Sequence, residues 1–268
     1  MASFKVALFA EGSTGARGTI DYFERIWKQD LVASLGLRQI DAVHPISKKH
    51  LLAMDPRNPP MSGAGEPLDA LIARKLKAEP FDAAVVAWDL FPAWAGISPS
   101  ACRWNETVEL YRLLGMSPNL PPQWREWAAR KDADLQQRAI PGARASLPRI
   151  MRHAILAVCM VPDFEGLLTV SEPAVRRALG VQGARVAGWP TRWTDPSVRR
   201  PEIELLQPAI RAARSLRPPP RRLPKIRGDM RTAKHEWGSY FVRKLFADGA
   251  SRADVASHPI ARRLREVL

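Results

Sequence analysis

The stretch Phe4-Lys5-Val6-Ala7-Leu8-Phe9-Ala10, followed directly by Glu11-Gly12-Ser13-Thr14-Gly15, decides the fold class of this chain. A short apolar run that ends in an acid and a glycine is typical of a buried strand followed by a loop. Ligand sites of open α/β sheets lie at the carboxyl ends of their strands. The sequence therefore predicts a strand that places Glu11 at the edge of a sheet where such a site forms.

Two further apolar runs end in acids in the same way. Ala83-Ala84-Val85-Val86-Ala87-Trp88 precedes Asp89, and the run from Ala154 to Val161 precedes Asp163 and Glu165. Carboxylates brought to one sheet edge would bind Mg²⁺ or Mn²⁺, which prefer oxygen ligands. Such an ion activates water and stabilises the leaving oxygen of a phosphodiester. The pattern favours a metal site containing Glu11, Asp89 and Glu165, and its alternative is three ordinary acids that follow strands.

The spacing of apolar residues predicts alternating strands and helices in the first half of the chain. The predicted elements are strands near 4–10, 38–46 and 82–88 and helices near 19–34, 67–78 and 103–114. This alternation predicts an α/β fold with a mostly parallel sheet flanked by helices. Residues 115–150, which include a helix at 123–138, are interpreted as an insertion or a lid before a fourth strand near 153–161.

The composition changes near residue 180, where we place the end of the sheet domain. Residues 1–180 form the predicted α/β domain, and residues 181–268 form a basic helical C-terminal region. Helices are predicted near 172–179, 202–214, 232–247, 251–256 and 259–267. Between them, Pro218-Pro219-Pro220 and Pro224 predict an extended connector, because proline lacks an N–H donor and blocks the preceding helical turn.

The formal net charge of +14 and the isoelectric point near 10.5 indicate a polyanionic partner, for which nucleic acid is the default. Residues 208–234 contain nine Lys or Arg and a single acid, Asp229. Such a segment binds phosphates with a salt-dependent affinity, and its alternative is a solvated basic loop. The predicted nucleic-acid-binding residues are Arg17, Arg217, Arg221, Arg222, Lys225 and Arg227.

Other site classes fit the sequence less well. Cys102 and Cys159 lie far apart without a CxxC spacing, which excludes a zinc knuckle and favours a cytoplasmic compartment. No apolar run approaches the roughly eighteen residues of a membrane span, so we expect no membrane partner. The glycine-rich loop Gly12–Thr19 lacks the Gly-Lys-Ser/Thr ending of a nucleotide-binding P-loop.

Three short motifs carry a resemblance to a known family. They are the strand with Glu-Gly-x-Thr at Val6–Thr14, the acidic strand end Val85–Asp89, and the Phe-Glu-x-Leu-Leu segment within Pro162–Leu168. In these motifs the chain resembles a TOPRIM-like family of uncharacterised bacterial proteins, related to the TOPRIM domain of overcoming-lysogenization-defect nucleases. The C-terminal helices, which end in His258-Pro259-Ile260-Ala261-Arg262-Arg263-Leu264, are also similar to that family.

The resemblance implies a nuclease that uses Mg²⁺ or Mn²⁺ and acts on DNA or RNA. It also implies an effector role in a prokaryotic antiphage defence system, with an ATPase or another protein as partner. Within the site, it implies that Glu11 is the general acid/base or metal-linked acid, Asp89 a metal ligand and Glu165 a supporting carboxylate. Asp21 is the candidate for the acid that the family usually carries after the threonine.

Two positions depart from the family pattern. Gly15 follows Thr14 where an acid is usual, and Phe91 stands two residues after Asp89 where the family has a second acid. Loss of a metal ligand lowers affinity for the ion. The departures therefore favour an alternative, a catalytically degenerate TOPRIM subunit that binds nucleic acid or a partner protein inside a larger complex. A basic scaffold that binds protein alone is a third hypothesis.

Overall fold

The computed structural model describes residues 3–12, 22–56, 65–90, 109–138 and 150–268. The chain divides into two compact units, each assembled from separate chain segments. The described parts of Met1–Ser13, Gln39–Cys159 and Glu266–Leu268 form the first unit, and those of Thr14–Arg38 and Met160–Arg265 form the second. The predicted domain boundary at residue 180 stays a prediction.

A four-stranded parallel sheet is the framework of the first unit. Its strands are β1 Val6–Glu11, β2 Ala42–Ile46, β3 Ala83–Asp89 and β4 Ile155–Met160, in the order β2-β1-β3-β4. β1 pairs in parallel with both β2 and β3. Both β1 and β3 are buried up to their acidic last residues, as continuous apolar runs predict. The prediction of an α/β fold with a parallel sheet flanked by helices is confirmed.

The described helices follow the predicted order along the chain, with one addition at Lys48–Leu52 that was not predicted. α1 runs through Tyr22–Arg25, a π-helical turn Ile26–Leu31 and Val32–Leu35. It is followed by α2 Lys48–Leu52, α3 Leu68–Ala78, α4 at 109–115, α5 Pro122–Arg138, a 3₁₀ turn Phe164–Leu168 and α6 Glu172–Leu179. α7 combines a π-helical turn Glu202–Leu206 with Gln207–Ser215, and the chain ends with α8 Lys234–Ala247, α9 Gly249–Ser257 and α10 Pro259–Val267. Among these helices, none combines the length and apolarity that crossing a membrane requires.

Aromatic side chains fill the core of the first unit. The ring of Phe81 lies 6.0 Å from that of Phe9 and 5.6 Å from that of Trp124, measured between centroids. The hydroxyl of Tyr111 in α4 accepts a hydrogen bond from the backbone N–H of Ala157 in β4 at 3.0 Å. The helices that follow β3 are thus held against the strands, and the sheet edge that carries Glu11 and Asp89 is built on a packed core.

In the second unit, α8 contacts α1, α6, α9 and the 3₁₀ turn. Trp237 and Phe241 on α8 are fully buried, with ring centroids 5.8 Å apart. The ring of Trp27 in α1 lies 5.4 Å from that of Phe164 in the 3₁₀ turn. These contacts fix the 3₁₀ turn, which carries one of the predicted acids.

Candidate metal centre

Glu11 and Asp89 end neighbouring strands and lie side by side at the sheet edge. The backbone N–H of Asp89 donates a hydrogen bond to Oε2 of Glu11 at 2.9 Å, so the Glu11 carboxylate bridges the two strand ends. The buried Lys48 donates from Nζ to the backbone carbonyls of Asp89 and Leu90. The structure thus brings two predicted acids together and adds a lysine that the sequence analysis missed.

A second group of carboxylates consists of Asp163, Glu165 and Glu202, which we call the acidic cluster. All three residues are buried, with 5%, 7% and 5% of their surface exposed. One carboxylate oxygen from each lies within 4.8 Å of the other two, and all three residues belong to the second unit. The cluster could hold a metal ion, and in the part of the chain that the structure describes it is the one group of three potential ligands so arranged.

The loop after β4 places the first two members of the acidic cluster. Asp163 has an extended backbone and precedes the 3₁₀ turn, where its Oδ1 accepts a hydrogen bond from the N–H of Gly166 at 3.1 Å. This bond satisfies a donor at the start of the turn, as a helix N-cap does. Glu165 is the second residue of the turn and follows Asp163 by two positions, so the local course of the chain brings the two carboxylates close.

Glu202 reaches the cluster from the start of α7. Pro201 precedes the helix, and the backbone N–H groups of Arg199 and Arg200 donate to Oε1 of Glu204 at 2.9 and 2.8 Å. Glu204 therefore ties the segment just before the helix to its first turn. Glu202 is buried in that turn.

Two basic side chains neutralise part of the acidic cluster. Nζ of Lys234 lies 3.0 Å from Oε1 of Glu165, and Nη2 of Arg200 lies 3.2 Å from Oε1 of Glu202. The other oxygen of Glu202, Oε2, is buried and has no hydrogen-bond partner. A buried carboxylate oxygen without a partner is unfavourable because it loses its hydration. A cation bound within the cluster would remove this penalty.

A histidine lies beside the 3₁₀ turn. A Cβ atom at Gly166 would lie 3.7 Å from ring atoms of His258 and 3.2 Å from Cδ of Pro162. Burial, aided by the nearby charge of Arg262, lowers the pKa of His258 to about 4. The ring is therefore neutral near pH 7, and its Nδ1 accepts a hydrogen bond from the N–H of Ile260 at 3.2 Å.

The predicted nucleic-acid-binding residues of the 208–234 segment lie at the surface. All five, Arg217, Arg221, Arg222, Lys225 and Arg227, are exposed. Arg217 donates to the backbone carbonyls of Arg214 and Leu216. The other four make no ion pair with any described residue. Their charges are therefore directed to solvent.

Some predicted residues lie outside the described ranges, namely Arg17 and Asp21, together with Gly15 and Phe91. Glu165 belongs to the acidic cluster with Asp163 and Glu202, while Glu11 and Asp89 belong to the first unit. Glu202 was missed by the sequence analysis. Its one sequence signal is an acid directly after Pro201 at the start of an apolar helix.

The chain matches no protein-family model, no curated protein and no solved structure. The resemblance to the TOPRIM-like family therefore stays a prediction.

Proposed function

We propose that this protein is a metal-dependent nuclease that acts on DNA or RNA. One observation carries the proposal: Oε2 of Glu202 is buried without a partner inside a cluster of three buried carboxylates. The chain has 27 Asp or Glu against 41 Lys or Arg, and three of those acids are buried together in the cluster. A metal site in a protein that attracts polyanions favours phosphodiester chemistry over other metal-dependent reactions.

The donor set favours Mg²⁺ or Mn²⁺ as the ion. The cluster offers carboxylate oxygens only, which suit hard divalent cations and not the soft metals that thiolates bind. Ligand oxygens about 2.1 Å from Mg²⁺ lie up to about 4.2 Å apart, which is compatible with the spacing within the cluster. When bound, the ion would supply Lewis-acid stabilisation of the phosphodiester and a more acidic water.

The proposal gives the remaining residues roles that fit their positions. Glu11 and Asp89 are proposed as catalytic carboxylates at the sheet edge, with Glu11 as acid/base. Glu165 is proposed as a metal ligand within the acidic cluster. Arg221, Arg222 and the other exposed basic residues of 208–234 are proposed to bind the phosphate backbone, since backbone contacts dominate affinity for nucleic acid.

The proposal extends to the family and the biological setting. We propose a TOPRIM-like nuclease in the cytoplasm that acts as an effector in antiphage defence with an ATPase partner. This extension depends on the motifs at Val6–Thr14, Val85–Asp89 and Pro162–Leu168 alone.

Cleavage of labelled single-stranded and double-stranded DNA and RNA tests the activity, in Mg²⁺, in Mn²⁺ and in EDTA. We expect metal-dependent cleavage that is lost in Glu11→Gln and Glu202→Gln, with binding retained. Glutamine at position 11 keeps an oxygen that can accept the hydrogen bond from Asp89, so the strand ends stay paired. Glu79→Gln is the matched control, because Glu79 is exposed in the same unit as Glu11. A chain that binds none of these polymers would contradict the proposal.

The degenerate subunit is the second candidate, and the geometry of Glu11 favours it. A carboxylate that accepts a backbone N–H from the neighbouring strand has a structural task without any catalysis. In that case the purified protein binds nucleic acid without cutting it in any metal, and Glu11→Gln leaves binding unchanged. Cleavage that requires Glu11 would exclude this candidate.

A further inference from the structure

We infer that Lys234 is a phosphate-binding residue that stays paired with Glu165 of the acidic cluster until an ion binds. In this inference Lys234 leaves Glu165 when a divalent cation binds, and its ammonium then contacts a phosphate of the nucleic acid. The inference rests on the proposed function, because it requires both an ion in the cluster and a polyanionic ligand. Neither the sequence motifs nor the acidic cluster alone assigns this role to Lys234 or couples ion binding to nucleic-acid binding.

The position of Lys234 joins the two features. Lys234 begins α8 and is the last of the nine basic residues in the 208–234 segment. Its Nζ lies 3.0 Å from Oε1 of the buried Glu165, while 45% of its own side chain is exposed. A lysine side chain is long and flexible, and its ammonium is easily hydrated. Side-chain rotation would carry the ammonium away from Glu165 towards solvent.

Repulsion between cations gives the reason for the exchange. The ammonium of Lys234 contacts Oε1 of Glu165, which is one of the three residues that could hold an ion. A divalent cation bound there would lie within a few ångström of that ammonium. Like charges at such short range repel strongly. Departure of Lys234 removes this repulsion and leaves Oε1 of Glu165 to the ion.

Arg200 is a less suitable exchange partner than Lys234. Both Nε and Nη2 of Arg200 contact Oε1 of Glu202, at 3.3 and 3.2 Å, and Oε2 stays unoccupied. Arg200 therefore leaves an oxygen available to an ion, whereas Lys234 occupies Oε1 of Glu165. Arg200 also lies outside the 208–234 segment. The geometry thus distinguishes the two cations, and Lys234 is the one expected to move.

The consequence is reciprocal coupling between the ion and the nucleic acid. A released Lys234 adds one positive charge to the surface that binds phosphate, so the ion raises affinity for nucleic acid. By linkage, nucleic acid that holds Lys234 away from Glu165 raises affinity for the ion by the same factor.

Titration with Mn²⁺, followed by its paramagnetic resonance signal, tests the exchange without any catalytic readout. Lys234→Gln removes the competing charge, so we expect it to bind Mn²⁺ at least about threefold more tightly than the unmodified chain. Lys225→Gln is the matched control, because Lys225 is exposed and makes no ion pair with a described residue. This control should leave Mn²⁺ affinity unchanged. Equal affinity in Lys234→Gln and the unmodified chain would overturn the inference.

The salt dependence of binding to a fluorescent DNA oligonucleotide tests the coupling. Ca²⁺ serves as a substitute ion to limit cleavage, and EDTA removes the ion. In Ca²⁺ we expect Lys234→Gln to lower the slope of log affinity against log salt by about one, and in EDTA to leave it unchanged. Lys225→Gln should lower the slope in both conditions. If Lys234→Gln lowers the slope equally with and without Ca²⁺, Lys234 contacts phosphate whether or not an ion is bound. That result would overturn the inference.

The two proposals fail in different ways. If the unmodified chain binds no Mn²⁺, both the metal centre and the role of Lys234 are wrong. If it binds Mn²⁺ and cleaves nucleic acid but the ion leaves DNA affinity unaltered, only the role of Lys234 is wrong. Thermal unfolding of each variant in EDTA shows whether it is folded, and Lys234 is exposed enough that its replacement should preserve the fold.

Discussion

Replacement of Glu202 by glutamine should stabilise the protein in EDTA and make it insensitive to divalent cations. Glutamine has nearly the shape of glutamate, so Glu202→Gln removes a charge from the acidic cluster and leaves its packing. The side-chain amide can also donate to a carboxylate of Asp163 or Glu165, whose ligand oxygens lie within 4.8 Å of that of Glu202.

The magnitude follows from the distances within the cluster. Two unit charges about 4.8 Å apart repel by about 3 kcal/mol at an effective dielectric constant near 20. Glu202 has two such neighbours, and Lys234 offsets part of the repulsion. The variant also loses the ion pair with Arg200, which is 66% exposed and so contributes at most about 1 kcal/mol. We therefore expect the free energy of unfolding in EDTA to rise by about 1–3 kcal/mol.

A bound ion should stabilise the unmodified chain and leave the variant unchanged. A cation at 100 times its dissociation constant stabilises the folded state by about 2.7 kcal/mol. For a chain of this size that corresponds to a rise of roughly 5–10 °C in the melting temperature. Thermal unfolding with and without Mn²⁺ should show this rise in the unmodified chain and none in Glu202→Gln. Glu236→Gln, an exposed carboxylate on α8, is the matched control and should retain the rise.

Two results would refute the reasoning. If Glu202→Gln lost more than about 1 kcal/mol in EDTA, the carboxylate would be needed for the fold and repulsion would not dominate the cluster. If Mn²⁺ raised the melting temperature of the variant as much as that of the unmodified chain, the ion would bind elsewhere.

Three further predictions concern other groups. Because the pKa of His258 in the folded state is about 4, below its ordinary 6.5, the unfolded state binds more protons between these values. The free energy of unfolding should therefore be highest above pH 6.5 and should fall by at most about 2 kcal/mol between pH 6.5 and about pH 5. Urea unfolding should show a smaller fall over the same pH range in His258→Asn. Tyr240→Phe should cost about 1–1.5 kcal/mol in urea unfolding, because it removes a buried hydroxyl that donates to the carbonyl of Ala178. Replacing Arg221 and Arg222 together by glutamine should lower the salt slope of DNA binding by about two and leave the melting temperature unchanged, since both are exposed.

The fold was largely predictable because its signals are local. The apolar runs at β1 and β3 end in Glu11 and Asp89, and α6 spans the predicted 172–179. The missed helix, α2, is only five residues long and lacks a clear apolar period. Its start depends on a reciprocal capping interaction between Ser47 and His50, which short helices need and periodicity does not reveal.

The candidate site was only partly predictable because it depends on contacts between distant segments. Strand order places Glu11 beside Asp89, and the rule that parallel strands present their carboxyl ends together was sufficient to predict that contact. Glu202 lies 37 residues after Glu165, and no local pattern separates a buried acid at a helix start from an exposed one. Only the packing of α7 in the second unit shows that Glu202 completes the cluster.

The high positive charge of the chain bears directly on the metal centre. A net charge of +14 creates a potential that opposes the entry of any cation, so the isolated protein should bind divalent ions less tightly than the cluster alone would. Nucleic acid neutralises that potential, whether or not Lys234 moves. Salt also screens it beyond about 10 Å at 0.1 M, whereas the contact between Lys234 and Glu165 spans 3.0 Å. General charge effects on Mn²⁺ affinity should therefore fade as salt increases. The rise in Mn²⁺ affinity caused by Lys234→Gln should persist at high salt. This difference distinguishes a local exchange at the acidic cluster from the electrostatic potential of the whole protein.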